Sequence, residues 1–196
     1  MGRFSPLLEE TVATMRQVTD QLGKGIDPGI FESVVVLNAL KFSTQQSCEG
    51  HLDHGKPAPW ITIISPDAIG PSREAARLFT RGEKIEEEQG KEAAQLVYAQ
   101  ANRCKRSAEA LHSQDQRRLM EYLATFYTSY RPAYDRMLVV YTRMPACSIL
   151  ESLGATALAS EPLHIQAQKL KDYQDEIHAF TAFLQERYFS EVEVPS

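Results

Sequence analysis

Cysteine is scarce in this chain: Cys48, Cys104 and Cys147 are scattered through 196 residues. So odd and widely spaced a set excludes the dense disulfide framework of a small secreted scaffold, and reduced thiols are the default expectation. For Cys104 and Cys147 the expected environment is that of a small, buried apolar side chain. Long hydrophobic runs are missing too, since no apolar stretch approaches bilayer-spanning length. The opening Met1-Gly2-Arg3-Phe4-Ser5-Pro6 has no signal-peptide core and lacks the Ser or Thr that N-myristoylation requires. These absences predict a cytoplasmic protein with no membrane partner. Positive charge is also in short supply, with 21 Lys and Arg against 26 Asp and Glu for a net charge of −5. That balance counts against nucleic acid as a partner, because neutralising phosphates takes clustered Lys and Arg.

Several familiar signatures are absent as well. Gly23-Lys24-Gly25 lacks the preceding strand, the spacing and the Lys-Ser/Thr ending of a phosphate loop. No dinucleotide-binding glycine pattern and no nucleophile elbow occurs. There is no internal repeat, low-complexity tract or composition break to mark a linker. What the chain does have is 43% hydrophobic residues, enough to bury one sizeable core, so residues 1–196 are read as a single domain.

Helical spacing of Leu8, Val12, Met15 and Leu22 predicts an amphipathic helix over residues 6–22, stopped by Gly23 and Gly25. Asp27 then Pro28 form an N-cap and first-turn pair for a largely buried helix over residues 30–42, although Val34, Val35 and Val36 also have strand character. Residues 44–51 and 60–64 read as a β-hairpin whose long loop holds Asp53, Gly55, Pro57 and Pro59. A short helix capped by Ser72 and broken at Gly82 follows, then a surface helix over residues 84–112. Ser113 reads as the cap of another helix, ending before Pro132 and carrying Leu119, Leu123, Phe126, Tyr127 and Tyr130 as core residues. Residues 137–144 and 147–153 flank Pro145-Ala146 as a second hairpin, and a long closing helix runs over residues 162–189, leaving 191–196 to fray. The expected class is helix-rich α+β: two β-hairpins forming one small antiparallel four-stranded sheet, packed by long amphipathic helices.

One stretch concentrates chemistry. Ser47-Cys48-Glu49-Gly50-His51-Leu52-Asp53-His54-Gly55 places a thiol, two imidazoles and two carboxylates in what is otherwise a strand and its turn. Zinc takes thiolate, imidazole and carboxylate ligands, and the short spacing of Cys48, His51 and His54 lets a tight turn aim them at one ion. With those three as metal ligands, Glu49 and Asp53 are the candidate catalytic acid/base residues. His51 and Trp60, the single tryptophan, are the candidate ligand-binding residues. A metal-free nucleophilic Cys48 activated by His51 or His54 is disfavoured in an extended strand, where alternation would send Cys48 into the core. The plain alternative makes Cys48 a core residue and Glu49, Asp53 and His54 ordinary solvated hairpin residues.

The segment from Asn38-Ala39-Leu40 through Ser47-Cys48-Glu49-Gly50-His51, then Gly55, Pro57, Pro59 and Trp60, resembles a family of short uncharacterised bacterial proteins. Tyr134-Asp135-Arg136 and the stretch from Tyr173-Gln174 to Leu184 extend that likeness over most of the chain. It implies a bacterial cytoplasmic protein and no particular activity. A fainter likeness is to the wybutosine-synthesis methyltransferase family, whose strand bears Ser-Cys-Ser-Gly-Arg. Ser47, Cys48 and Gly50 match that motif, while Glu49 and His51 replace its Ser and Arg. Losing the Arg removes an anchor for an anionic group.

The leading expectation is therefore a small-ligand or metal-binding protein, zinc being the candidate ion, with enzymatic capacity on the hairpin from Ser47 to Trp60. One alternative is a noncatalytic immunity or regulatory protein whose acidic surface meets a basic protein partner. The other, implied by the fainter likeness, is an RNA-modifying protein.

Overall fold

The computed structural model describes residues 6–20 and 22–189, so the expectations for residues 1–5 and for fraying at 191–196 lie outside the described residues. The chain runs through α1 (Pro6–Met15), α2 (Pro28–Ala39), β1 (Ser43–Cys48), β2 (Trp60–Ile64), α3 (Pro66–Gln89) and α4 (Lys91–Ser129). A 3-10 turn (Tyr134–Arg136) then leads into β3 (Leu138–Met144), β4 (Cys147–Ser152), α5 (Ala155–Leu158) and α6 (Leu163–Phe189). No helix among the described residues is long and apolar enough to cross a membrane.

The strands form one antiparallel four-stranded sheet in the order β1-β2-β4-β3. The β1-β2 and β3-β4 hairpins are thus joined through β2 and β4, and this is the helix-rich α+β architecture the patterning predicts. Being central, β4 is buried along its whole length, while β1 and β3 are edges with exposed positions. One face carries Ile61, Ile63 and Leu150 into a core shared with α2, the second half of α4 and α6, where Phe126, Ile177, Phe180 and Leu184 meet them. Each such side chain taken from water contributes about 1.5–3 kcal/mol. Val34, Val35 and Val36 are all buried within α2, whose wide apolar surface suits a position at the centre of the molecule, while Pro28 and Glu32 on its first turns stay exposed.

Several boundaries differ from the sequence reading, among them the end of α2, which falls at Ala39 rather than Phe42. The first helix ends at Met15 rather than Leu22, because Asp20 Oδ1 accepts the backbone N–H groups of both Leu22 and Lys24 at 2.8 Å and turns the chain early. Neither Ser72 nor Ser113 is a cap: α3 starts at Pro66, and Ser113 Oγ donates to the Glu109 carbonyl inside α4. Gly82 does not break its helix either. Its missing side chain admits the Tyr98 ring, which would lie 2.5 Å from a Cβ there. The reversal falls instead at Gly90, with φ 88° and ψ 166°.

A seven-residue repeat of small side chains explains why α3 and α4 pair. Ala68, Ala75 and Gly82 are buried on α3, and Ala94, Ala101 and Ala108 on α4. Ala68 and Ala108 share one core cluster, and the Tyr98 ring of α4 covers Gly82 of α3. Small residues in the seam let the backbones approach closely, in the manner of a coiled coil. The arm so formed is long: 24 and 39 residues rise about 36 and 58 Å.

Candidate metal centre

β1 ends at Cys48, whose cross-strand partner is Trp60, which in turn pairs with Glu151 on β4. The chain then turns through Gly50, where φ is +86° and an added Cβ would lie 2.6 Å from Leu170 Cδ1 and 2.8 Å from the Ala58 carbonyl carbon. Only glycine fits both demands. A backbone hydrogen bond of 3.1 Å from His51 N to the Lys56 carbonyl closes the loop. Lys56 pairs with the buried Glu151, which also accepts a 2.6 Å hydrogen bond from Tyr141. Leaving that carboxylate without its cation would be costly, so the pair pins the loop to the sheet.

The loop meets the start of α2. Asp27 occupies the N-cap position but makes no side-chain cap hydrogen bond. Its Oδ2 instead accepts the Glu49 N–H at 3.2 Å and lies 3.5 Å from His51 Nε2. The helix is served from across the chain, since Glu49 Oε2 accepts the Gly29 N–H at 2.6 Å. The two acids have in effect exchanged places. Gln174 and His178 on α6 complete the frame by bonding the Glu49 carbonyl at 2.9 Å and the Gly29 carbonyl at 2.6 Å.

The ligand atoms of Asp27, Cys48 and His51 all lie within 4.8 Å of one another, a group that can hold a metal ion. Cys48 is half-buried, and Gly50 N–H approaches its sulfur at 3.4 Å. Burial pushes the Cys48 thiol up, the Gly50 N–H opposes the rise, and the charges of Asp27 and Glu49 add to it. The free thiolate is thus disfavoured, which argues against Cys48 as a metal-free nucleophile.

Of the sequence-predicted residues, Cys48 and His51 come together. His54 does not join them: among the described residues no single metal-capable group contains both Cys48 and His54. It stacks on His51, with ring centroids 4.3 Å apart, and bonds Asp53 at 2.8 Å, forming a second group of His51, Asp53 and His54. That group is open to water, with the His54 and Asp53 side chains 68% and 84% exposed against 23% for His51. Glu49, with Oε2 on Gly29 N–H, holds the helix end, and Asp53 faces solvent.

Trp60 lines a groove of about 530 Å³ between edge strand β1 and the segment joining α1 to α2. Thr19, Asp20, Lys24, Asp27 and Gln46 give it a polar wall. Asp27 is the member of the metal-capable group that sequence reasoning missed. The chain matches no family model, no curated protein and no solved structure.

Proposed function

We propose that Asp27, Cys48 and His51 form a divalent transition-metal site, with zinc the ion best suited to a carboxylate, a thiolate and an imidazole. One distance carries the reading. Asp27 Oδ2 and His51 Nε2 stand 3.5 Å apart, which is long for a hydrogen bond. Two atoms each ~2.1 Å from one tetrahedral ion stand about 3.4 Å apart. The Cys48 sulfur, within 4.8 Å of the Asp27 and His51 ligand atoms, supplies the third donor.

Three protein ligands leave a fourth tetrahedral position for water or a ligand, as at catalytic rather than closed structural sites. An ion held there would supply Lewis acidity and an acidified water. Because Asp27 belongs both to the ligand set and to the groove along β1, the groove is the approach for a small polar ligand. The function we assign is accordingly metal-dependent binding of a small molecule at this groove.

Metal analysis of protein purified without a polyhistidine tag tests the assignment. One zinc per chain is expected, lost in Asp27→Ala, Cys48→Ala and His51→Ala and retained in His54→Ala. Cobalt exchanged into the site should show a thiolate charge-transfer band that Cys48→Ser abolishes. Metal-free wild-type protein that takes up no zinc on addition, or metal retained in Asp27→Ala, would sink it.

A further inference from the structure

β1 and β3 are the two edges of the sheet, and their free backbone groups meet different fates. β3 is capped from α4: Tyr127 Oη accepts the Leu138 N–H at 2.7 Å, and Gln116 Nε2 donates to the Val140 carbonyl at 3.4 Å. Nothing does the same for β1. Among the described residues, no backbone N–H or C=O of residues 44–47 has a partner outside the ladder with β2. Successive residues of an antiparallel strand direct these groups alternately toward the neighbour and away from it, so the stretch leaves donors and acceptors facing outward. β1 also carries none of the lysines or prolines that blunt a free edge.

Those outward groups face the groove beside the metal centre. Residues 44–47 line it consecutively. A strand that offered the groove one of its faces would contribute every second residue, so an unbroken run makes the strand's edge the wall. The opposite wall is an unbroken run as well, residues 24–27. It is held by the Thr19–Gly25 bridge and by the Asp20 N–H, which donates to the Lys24 carbonyl at 2.8 Å. In this wall too, the Ile26 N–H and C=O have no partner among the described residues.

The groove is thus a slot between two stretches of backbone, about 530 Å³ in volume. Four residues of strand at about 3.3 Å each give it a length of about 13 Å. One end reaches the metal centre, because Cys48 follows Ser47 and Asp27 stands in the opposite wall.

A row of alternating donors and acceptors is met most completely by another polypeptide backbone in extended form, which adds to the sheet as a further strand. We propose that the ligand of this groove is a short peptide paired with the free edge of β1, its C-terminal carboxylate in the open position of the ion. The inference rests on the metal site assigned above, where a carboxylate oxygen is an ordinary ligand for zinc.

Calorimetry and amide exchange on zinc-loaded protein, with acetyl-Thr-Val-Thr-Val as the probe, test this. The peptide should bind at one per chain and slow exchange at least tenfold at amides within residues 44–47, while β3 amides stay as they were. Replacing its free carboxylate by an amide should weaken binding at least fivefold. N-methylation at the first and third residues, or at the second and fourth, removes the donors of one peptide edge at a time. One of these two peptides should lose affinity at least tenfold and the other keep it within threefold. No binding, unprotected β1 amides, equal loss in both methylated peptides, or equal affinity of acid and amide would each overturn the proposal. Metal loading is read separately from the cobalt band, so protein that holds the ion but leaves β1 unprotected refutes the peptide alone. Protein that takes up no ion refutes the metal assignment and, with it, the carboxylate contact.

Discussion

Asp27 and Glu49 show how a residue's role follows from its partners rather than its local pattern. Asp27-Pro28 has the form of an N-cap and first turn, yet the hydrogen bond to the helix end comes from Glu49, twenty residues beyond Gly29. The exchange depends on Gly29, because a Cβ there would lie 2.5 Å from Glu49 Oε2 and 3.3 Å from its carboxyl carbon. Gly29→Ala should therefore displace Glu49 and lower stability by about 2 kcal/mol, the value of a hydrogen bond to a charged acceptor. Chemical denaturation of Gly29→Ala, Glu49→Ala and the double variant checks this. The two losses should fail to add, since both remove one interaction; additive losses would assign Glu49 some other role. Cys48 and His51 could be singled out from sequence because they stand three apart on one turn. Asp27 could not, because its approach is set by the packing of α2 against the loop.

At the scale of elements, the hairpins, α2 and α6 follow closely from alternation, turn residues and helical period. The α3–α4 arm does not. Hydrophobic patterning reads residues 84–112 as a lone surface helix, whereas α4 buries Ala94, Ala101 and Ala108 and α3 buries Ala68, Ala75 and Gly82. Small residues carry little hydrophobic signal, so the seven-residue repeat is visible only when size rather than hydrophobicity is followed. The same blindness made Gly82 look like a breaker and hid Gly90. With φ 88° and ψ 166°, Gly90 occupies a region open essentially to glycine alone, where another residue costs about 1–3 kcal/mol. Gly90→Ala should lower the denaturation midpoint accordingly. Gly25→Ala, at a glycine without positive φ and with no neighbouring atom closer than 4.0 Å to its added Cβ, should change it by less than about 0.5 kcal/mol. Equal effects would mean that the reversal does not depend on the Gly90 backbone.

Across the whole molecule, the proposed ligands come from segments far apart in the chain: Asp27 at the start of α2, Cys48 at the end of β1 and His51 in the loop that Lys56 holds to the sheet. An unfolded chain cannot keep these donors together, so an ion bound by all of them favours the folded state over the unfolded one. At a free zinc concentration a hundredfold above the dissociation constant, the gain is about 2.7 kcal/mol. For a chain of this size each kcal/mol moves the melting temperature by about 2–4 °C, so zinc should raise Tm by about 5–10 °C over chelator-treated protein. The rise should vanish in Asp27→Ala and Cys48→Ala and persist in His54→Ala, whose imidazole stands in the exposed group with Asp53. The His54 variant matters most, because solvent-facing histidines bind added zinc weakly and can imitate a site. A Tm rise that follows His54 and Asp53 rather than Asp27 and Cys48 would move the metal to the loop surface, where the chain gains no link between α2 and the sheet.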